Sequence, residues 1–304
     1  MGKFISNFKT TAELSIFSAT TAFKTPHVSL TKDSGGVHFF KRDYYHDYFT
    51  MVVTVGGNIK WSGSTTANSS TTITVEAGDK VLWKGTPTPQ SDKGIGKFSG
   101  ASSVRYSVEG NAMSLLFGDK FKEKTSLKGK SNAFQSLFSG NINVTSAENM
   151  SLPSTTLASN CYYNMFGTCT SLTTAPELPA TTLTNNCYEY MFNDCTSLTT
   201  APELPATTLA SSCYIGMFYG CTSLTTAPQL PATTLAISCY SDMFNGCTNL
   251  NSITCLATNI SASYCTTDWV KGVASSGTFT KAASMTGWTS GVKGIPNGWT
   301  VQNA

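Results

Sequence analysis

Five cysteines of this chain, Cys161, Cys187, Cys213, Cys239 and Cys265, stand 26 residues apart, and Cys169, Cys195, Cys221 and Cys247 keep the same interval in a second register. Nine of the ten cysteines therefore belong to one internal repeat. The block CTSLTTAPELPATTL at 169–183 returns unchanged at 195–209, and at 221–235 with Gln229 where the other copies carry Glu177 and Glu203. Between blocks runs CYxxMFxx, with Met165-Phe166, Met191-Phe192, Met217-Phe218 and Met243-Phe244 in register. A unit this small cannot bury its own apolar face, so its copies must stack, and the fold expected over this region is a short solenoid.

Each copy reads as two limbs. In CTSLTTAP, Leu172 and Ala175 point inward and Thr and Ser decorate a short strand, so stacked copies form a parallel ladder with Thr over Thr. Pro176, Pro202 and Pro228 end that strand, because proline cannot donate to a ladder. In TTLASNCYYNMF, Leu157, Cys161, Met165 and Phe166 recur at spacings that suit a short helix, with the Thr155-Thr156 pair supplying N-cap acceptor oxygens. The copies at the ends depart from the pattern. Phe138 lies 28 residues before Phe166, and CTNLNSITCLATNIS keeps Leu250, Ile253 and Leu256 while losing both prolines. Trp269-Val270 replaces Met-Phe, and the remainder, with Trp288 and Trp299, reads as a small β cap over the open end.

Charge divides the chain in the same place. Residues 1–130 carry 17 Lys and Arg against 10 Asp and Glu, a balance of +7, whereas 131–270 hold no Lys or Arg and seven carboxylates, Glu148, Glu177, Glu189, Asp194, Glu203, Asp242 and Asp268. A composition change this sharp marks a domain boundary near residue 130. The basic half interleaves its charges with acids and the repeats would repel phosphate, so nucleic acid is not an expected partner. No apolar run is long enough for a membrane span, and the N-terminal residues form no signal-peptide h-region. Alternating segments YFTMVVTVGGNIKW, STTITVEAGDKVLWKG and SVRYSVEGNAMSLLFG read as strands of a small antiparallel sandwich. Ahead of them, KFISNFKTTAELSIFSATTAF carries Phe4, Phe8, Leu14 and Phe17 on one face of an amphipathic helix, followed by an extended TPHVSLTKD. The expected fold class is thus α+β and β-rich: a docking segment over 1–43, a sandwich-like domain over 44–129, the solenoid over 130–270 and the cap over 271–304.

The order of residues in CYYNMFGTCTSLTTAPELP resembles the BspA-like leucine-rich repeats of Bacteroidetes surface proteins, with Met-Phe where Ala-Phe is usual. The likeness covers about 130–270; it implies a leucine-rich-repeat fold and a role in binding and adhesion, with no defined reaction. VEGNAMSLLFGD at 108–119 and the ending GIPNGWTV look like the flanks of such arrays in gut Bacteroidetes sequences. The opening FKTTAE and its PHVSL-type sequel resemble leaders on proteins of Bacteroides phages, crAss-like phages among them. This second resemblance, with the missing export signal, implies a virion protein whose N-terminal region holds other virion proteins. No coiled-coil heptads mark an oligomer, and the trimer common among phage fibres stands only as what that resemblance implies.

Chemistry is harder to find. Cysteine spacings of 8 and 18 without a CxxC do not suit zinc, and His27, His38 and His46, the bases that would activate a thiol, all lie in the other half. The cysteines read as buried thiols, with pairing between columns as the alternative and Cys255, outside both registers, as the leading free thiol. Glu177 and Glu203 would stack one copy apart as a carboxylate pair, or stand as turn residues duplicated by repetition. GIGKFSG at 94–100 lacks the Lys-Ser/Thr of a phosphate loop. No catalytic, cofactor or metal residue is assigned, and no enzyme is expected. What varies between copies is surface: Tyr163, Asn164, Glu189, Tyr190, Asp194, Tyr219 and Asp242 are types that stack on sugars or anchor a protein interface, or that differ because nothing constrains them. Thr173, Thr199 and Thr225 offer a second polar face. The function this implies is a non-enzymatic virion structural or adhesion protein, head or tail fibre or decoration, whose repeats bind a host surface protein or glycan. The alternative is a bacterial BspA-like adhesin on the cell surface.

Overall fold

The computed structural model describes residues 94–98, 105–117 and 120–304 in full and, before them, the backbone of six strands. These are β1 (Phe17–Thr21), β2 (Val28–Ser29), β3 (Tyr48–Val55), β4 (Asn58–Thr66), β5 (Thr74–Val75) and β6 (Lys80–Gly85). After them come β7 (Tyr106–Asn111), the single helical turn α1 (Ser114–Phe117), β8 (Val144–Ser146), β9 (Met150–Ser151), β10 (Ser252–Cys255), β11 (Thr278–Lys281) and β12 (Thr300–Asn303). Among the described residues the chain is β-rich with very little helix. A seven-stranded sheet runs β4-β3-β6-β1-β7-β8, with β9 also paired to β7, and β2 pairs β5 apart from it. Each segment expected as strand in 44–118 contains one, but Ser114–Phe117, expected as the end of the last, is the helical turn α1; β3 and β4 join as an antiparallel hairpin from Val55↔Asn58 outward.

The N-terminal helix expected over 3–23 is not formed at 17–21. That stretch is β1, antiparallel to β6 on one side and to β7 on the other. Two strands that leave a gap of one strand between them offer backbone bonds on both sides, and this outweighs a local helical pattern in a Ser/Thr-containing segment. Phe4, Phe8 and Leu14, like His27, His38 and His46, lie outside the described residues. The sheet also runs on into the repeats. β7 pairs β8 and β9 in parallel, with Tyr106↔Val144 and Gly110↔Met150.

In the repeats, alternate amides of the CYxxMFxx limb point two ways. The N–H groups of Cys161, Tyr163, Met165 and Gly167 donate three residues back, to Ala158, Asn160, Tyr162 and Asn164. Those of Asn160, Tyr162, Asn164, Phe166 and Thr168 donate to Asn185, Cys187, Glu189, Met191 and Asn193 of the next copy. The short helix expected here is therefore a run of turns. Every fourth residue is left-handed, Asn160, Asn164 and Thr168 at φ 55°, 51° and 58°, and the same places in the next copy, Asn186, Tyr190 and Asp194, at 58°, 54° and 53°. A left-handed residue at that interval stops each turn before a ladder of bonds to the fourth residue back can begin.

The other limb makes single parallel bridges: Ser146↔Thr174 and Thr174↔Thr200 in one column, Thr182↔Thr208 in another. Thr lies over Thr as expected, but no continuous ladder forms, because Pro176 and Pro179 contribute no donor between the bridges. Here the amides face both ways: Thr173 N–H donates to the Thr145 carbonyl of the preceding copy at 2.9 Å, and Leu183 N–H to the Thr208 carbonyl of the next at 3.0 Å. Neighbouring copies are thus tied by N–H groups that run to the next copy along the turn limb and in both directions along the other.

Between the limbs, invariant residues form columns. Phe98, Phe138, Phe166, Phe192, Phe218 and Phe244 stack with ring centroids 5.2–5.8 Å apart. Phe134, Tyr162, Tyr188, Tyr214, Tyr240, Trp269 and Trp288 form a second column at 5.5–6.1 Å. One apolar cluster runs from Ile95 to Trp299 without a break at residue 130. Residues 94–98 start the stack: Ile95 N–H donates to Ala133 and Phe98 N–H to Leu137. Gly94, at φ 62°, lies against the Asn132 carbonyl where no Cβ fits, which accounts for a glycine of GIGKFSG without any phosphate. At the other end, β11 and β12 extend β10 in parallel, and Trp269 donates its Nε1–H to the Gly294 carbonyl at 2.8 Å.

Candidate functional site

The turns put two residues of every four inside and two outside. The inside pairs Cys-Tyr and Met-Phe are the same in the four regular copies, so chemical variety collects on the outer pairs between them, and one cluster there is denser than the rest. The rings of Tyr163 and Tyr190 meet edge to face, centroids 6.3 Å apart at 86°. Tyr190 reaches along the stack over Gly216 of the next copy, occupying the space a Cβ at 216 would take. Burial, then the carboxylates of Glu189 and Asp242, push the Tyr190 phenol up, with Tyr163 and Tyr219 adding to the effect. Tyr163 is raised by burial and by Glu189. Glu189 is itself raised by partial burial, an effect opposed by its hydrogen bond from Asn186 Nδ2.

Several supports of this cluster escaped the sequence reading as site residues. Asn186 holds Glu189, and Asp242 accepts from Asn245 Nδ2 at 2.8 Å and from Ser241 Oγ at 3.1 Å. Gly216 is what lets Tyr190 lie down. The repeat register held the signal, since Gly216 stands 26 residues after Tyr190 and 26 before Asp242. The remaining members of the expected set lie around the cluster. Asn164 donates to Ser139 Oγ at 3.1 Å in the preceding copy, Asp194 accepts from Asn193 and fills the space beside Gly220, and Tyr219 is exposed.

Thr173, Thr199 and Thr225 are exposed on the other limb, apart from this group in the copy. Their polar groups are partly engaged within the stack. The Thr173 and Thr199 hydroxyls donate to the carbonyls of Thr145 and Thr173, at 2.8 and 3.4 Å, and the Thr225 carbonyl accepts from Asn251 N–H. Glu177 and Glu203 are exposed and line one groove of about 240 Å³ with Pro176, Leu178, Pro179, Pro202 and Pro205. No third acid or base joins them along that groove.

All ten cysteines are free and buried. Four of them form one column of donors, and Cys265 donates separately to the Ile260 carbonyl at 3.2 Å. The thiols of Cys169, Cys195, Cys221 and Cys247 donate to the carbonyls of Phe138, Phe166, Phe192 and Phe218 at 3.0–3.2 Å. Burial pushes Cys169 and Cys247 up to about 12 and Cys195 well above its ordinary range, so these are neutral donors and not nucleophiles. Cys255 is as buried as the others, beside Cys265. Among the described residues no three of His, Cys, Asp and Glu converge as a metal site, and no helix is long and apolar enough to cross a membrane.

Comparison with family models, with curated proteins and with solved structures gave no match to this chain in any of the three. The likeness to BspA-like repeats and to phage leaders therefore rests on the residues quoted for it.

Proposed function

We propose that this chain is a non-enzymatic structural and adhesion protein of a phage particle, head or tail fibre or decoration. In this reading residues 130–270 are a leucine-rich-repeat solenoid carried on a sandwich-like domain over 44–129 and closed by the cap over 271–304. The N-terminal region holds other virion proteins, and the repeats present their turn face to a host surface protein or glycan. One observation carries the reading: along the turn limb the copies agree at the buried Cys-Tyr and Met-Phe pairs and differ at the pairs between them, at 163–164, 189–190, 215–216 and 241–242. A scaffold with a fixed interior and a varied outer face is suited to recognition. Aromatic residues beside carboxylates and amides supply the contacts for it. Thiols held neutral inside support binding over catalysis.

The BspA-like repeat pattern supports a second reading, an adhesin on a bacterial surface that uses the same face. Gold-labelled antibody against 131–270, viewed on purified particles and producing cells in the same grids, separates the two. Label at fixed positions on the particle is the expected result. Label confined to cell envelopes overturns the virion assignment and leaves the adhesin.

A further inference from the structure

Of the surfaces on this molecule, the corner between Tyr163 and Tyr190 combines aromatic rings with carboxylates. The two rings stand nearly perpendicular, at 86°, so they make two walls. Gly216 in the next copy carries no side chain, and the Tyr190 ring takes its place. Glu189 follows Tyr163 by one copy and Asp242 follows Gly216 by one copy, which sets a carboxylate on each side of the ring along the stack. Both carboxylates are oriented from behind, by Asn186 and by Ser241 and Asn245, and each keeps acceptor capacity for a ligand.

The geometry points to a basic side chain of a protein partner as the occupant, its alkyl stem along the Tyr190 ring and its cation between Glu189 and Asp242. This rests on the adhesion reading above and narrows its ligand. Aromatic faces attract cations, and carboxylates at the rim accept the hydrogen bonds that a primary ammonium or a guanidinium brings. A neutral sugar would use the rings and donate hydroxyls to the carboxylates but brings no positive charge to meet them. Residues 131–270 contain no Lys or Arg, so nothing in the repeats themselves can fill the corner. The seven carboxylates of that region draw cationic partners toward it.

The test measures binding of fluorescent tetralysine to the full chain, beside its fully N-acetylated form, a neutral maltohexaose and a chitosan oligomer. Variants are Tyr190→Phe, Tyr190→Asn, Glu189→Gln and Asp242→Asn, with Glu177→Gln as a control of equal charge change outside the corner. Asn stands at the place of Tyr190 in the preceding copy and tolerates its left-handed backbone, so Tyr190→Asn keeps the fold. Expected are binding of tetralysine and not of its acetylated form, about tenfold weaker binding for Tyr190→Asn, Glu189→Gln and Asp242→Asn, and little change for Tyr190→Phe and Glu177→Gln. Equal losses at Glu177 and Glu189 would reduce the effect to the general charge of the repeats and overturn the site. Tyr190-dependent binding of maltohexaose or chitosan in place of tetralysine would also overturn it, in favour of a glycan, while leaving the adhesion reading standing. That reading fails separately if the chain with its whole turn face altered adheres to host cells as the unaltered chain does.

Discussion

The buried thiols show how a residue chosen for size comes to carry a pH dependence. In the column of Cys169, Cys195, Cys221 and Cys247 each sulfur fills a small apolar site and lends its proton to a phenylalanine carbonyl of the preceding copy. Cys195→Ala removes both the donor and the volume and should cost about 1–2 kcal/mol in urea denaturation. Burial holds Cys169, Cys187, Cys239, Cys247 and Cys255 at about 12 against an ordinary 9.0. The unfolded chain releases those protons first. Stability is therefore full below pH 9 and falls as pH rises toward 12, by about 1.4 kcal/mol per pH unit for each such thiol. Urea midpoints that stay level from pH 7 to 8.5 and then drop steeply are the expected result; a level profile through pH 10.5 would contradict the burial. A thiol reagent should find no reactive cysteine in the native protein and ten after unfolding. Fewer than ten would mean that some are bridged.

At the scale of the element, the turn limb was misread for a reason that lies in its spacing. Leu157, Cys161 and Met165 recur every four residues, which a helix nearly matches but does not keep, since it rotates about 40° past a full circle in four residues. Four-residue turns keep that register without drift, and the adjacent positions Ala158, Tyr162 and Phe166 stay buried with it. The warning was present in the residues between, where Asn160, Asn164, Asn186, Asp194, Asp242 and Gly246 favour left-handed backbone. The buried columns and the strands of 44–118 were legible, because apolar period and β-branched alternation report burial directly. The corner at Tyr190 was legible only as a set of variable residues, since its geometry depends on which side chain the next copy lacks. Far-UV circular dichroism should accordingly show no helical minimum near 222 nm of the size that a helix in every copy would give. Thr168 is a β-branched residue at φ 58° and is exposed. Thr168→Asn should raise stability by about 0.5–1 kcal/mol, read as a higher urea midpoint, whereas Asn164→Val should lower it by at least as much.

Across the whole molecule, order passes from copy to copy through backbone bonds and stacked rings, so the ends need covering. At the C-terminal end Thr266 stands where the other copies have tyrosine, and Trp269 closes the column between Tyr240 and Trp288. It is fully buried, and Trp269→Ala should cost about 3–5 kcal/mol, more than removing a ring from an exposed turn. The same architecture makes the stack divisible at its own period and nowhere else. Deleting residues 196–221 joins Cys195 to Thr222, restores CTSLTTAP unbroken and brings Tyr188 and Phe192 against Tyr240 and Phe244. Each copy bonds only its neighbours, so the shortened chain loses one set of contacts between copies and keeps the pattern of all the others. It should retain its near-UV circular dichroism and melt in one cooperative transition at a lower temperature. Deleting half as many, 196–208, sets a turn limb against a bridge limb, where Tyr188 faces Ala227, Met191 faces Leu230 and Phe192 faces Pro231, so neither the ring columns nor the turn-to-turn amide bonds continue. That chain should show no cooperative melt, and if it melted like the 196–221 deletion, the 26-residue register would not be what holds the copies together.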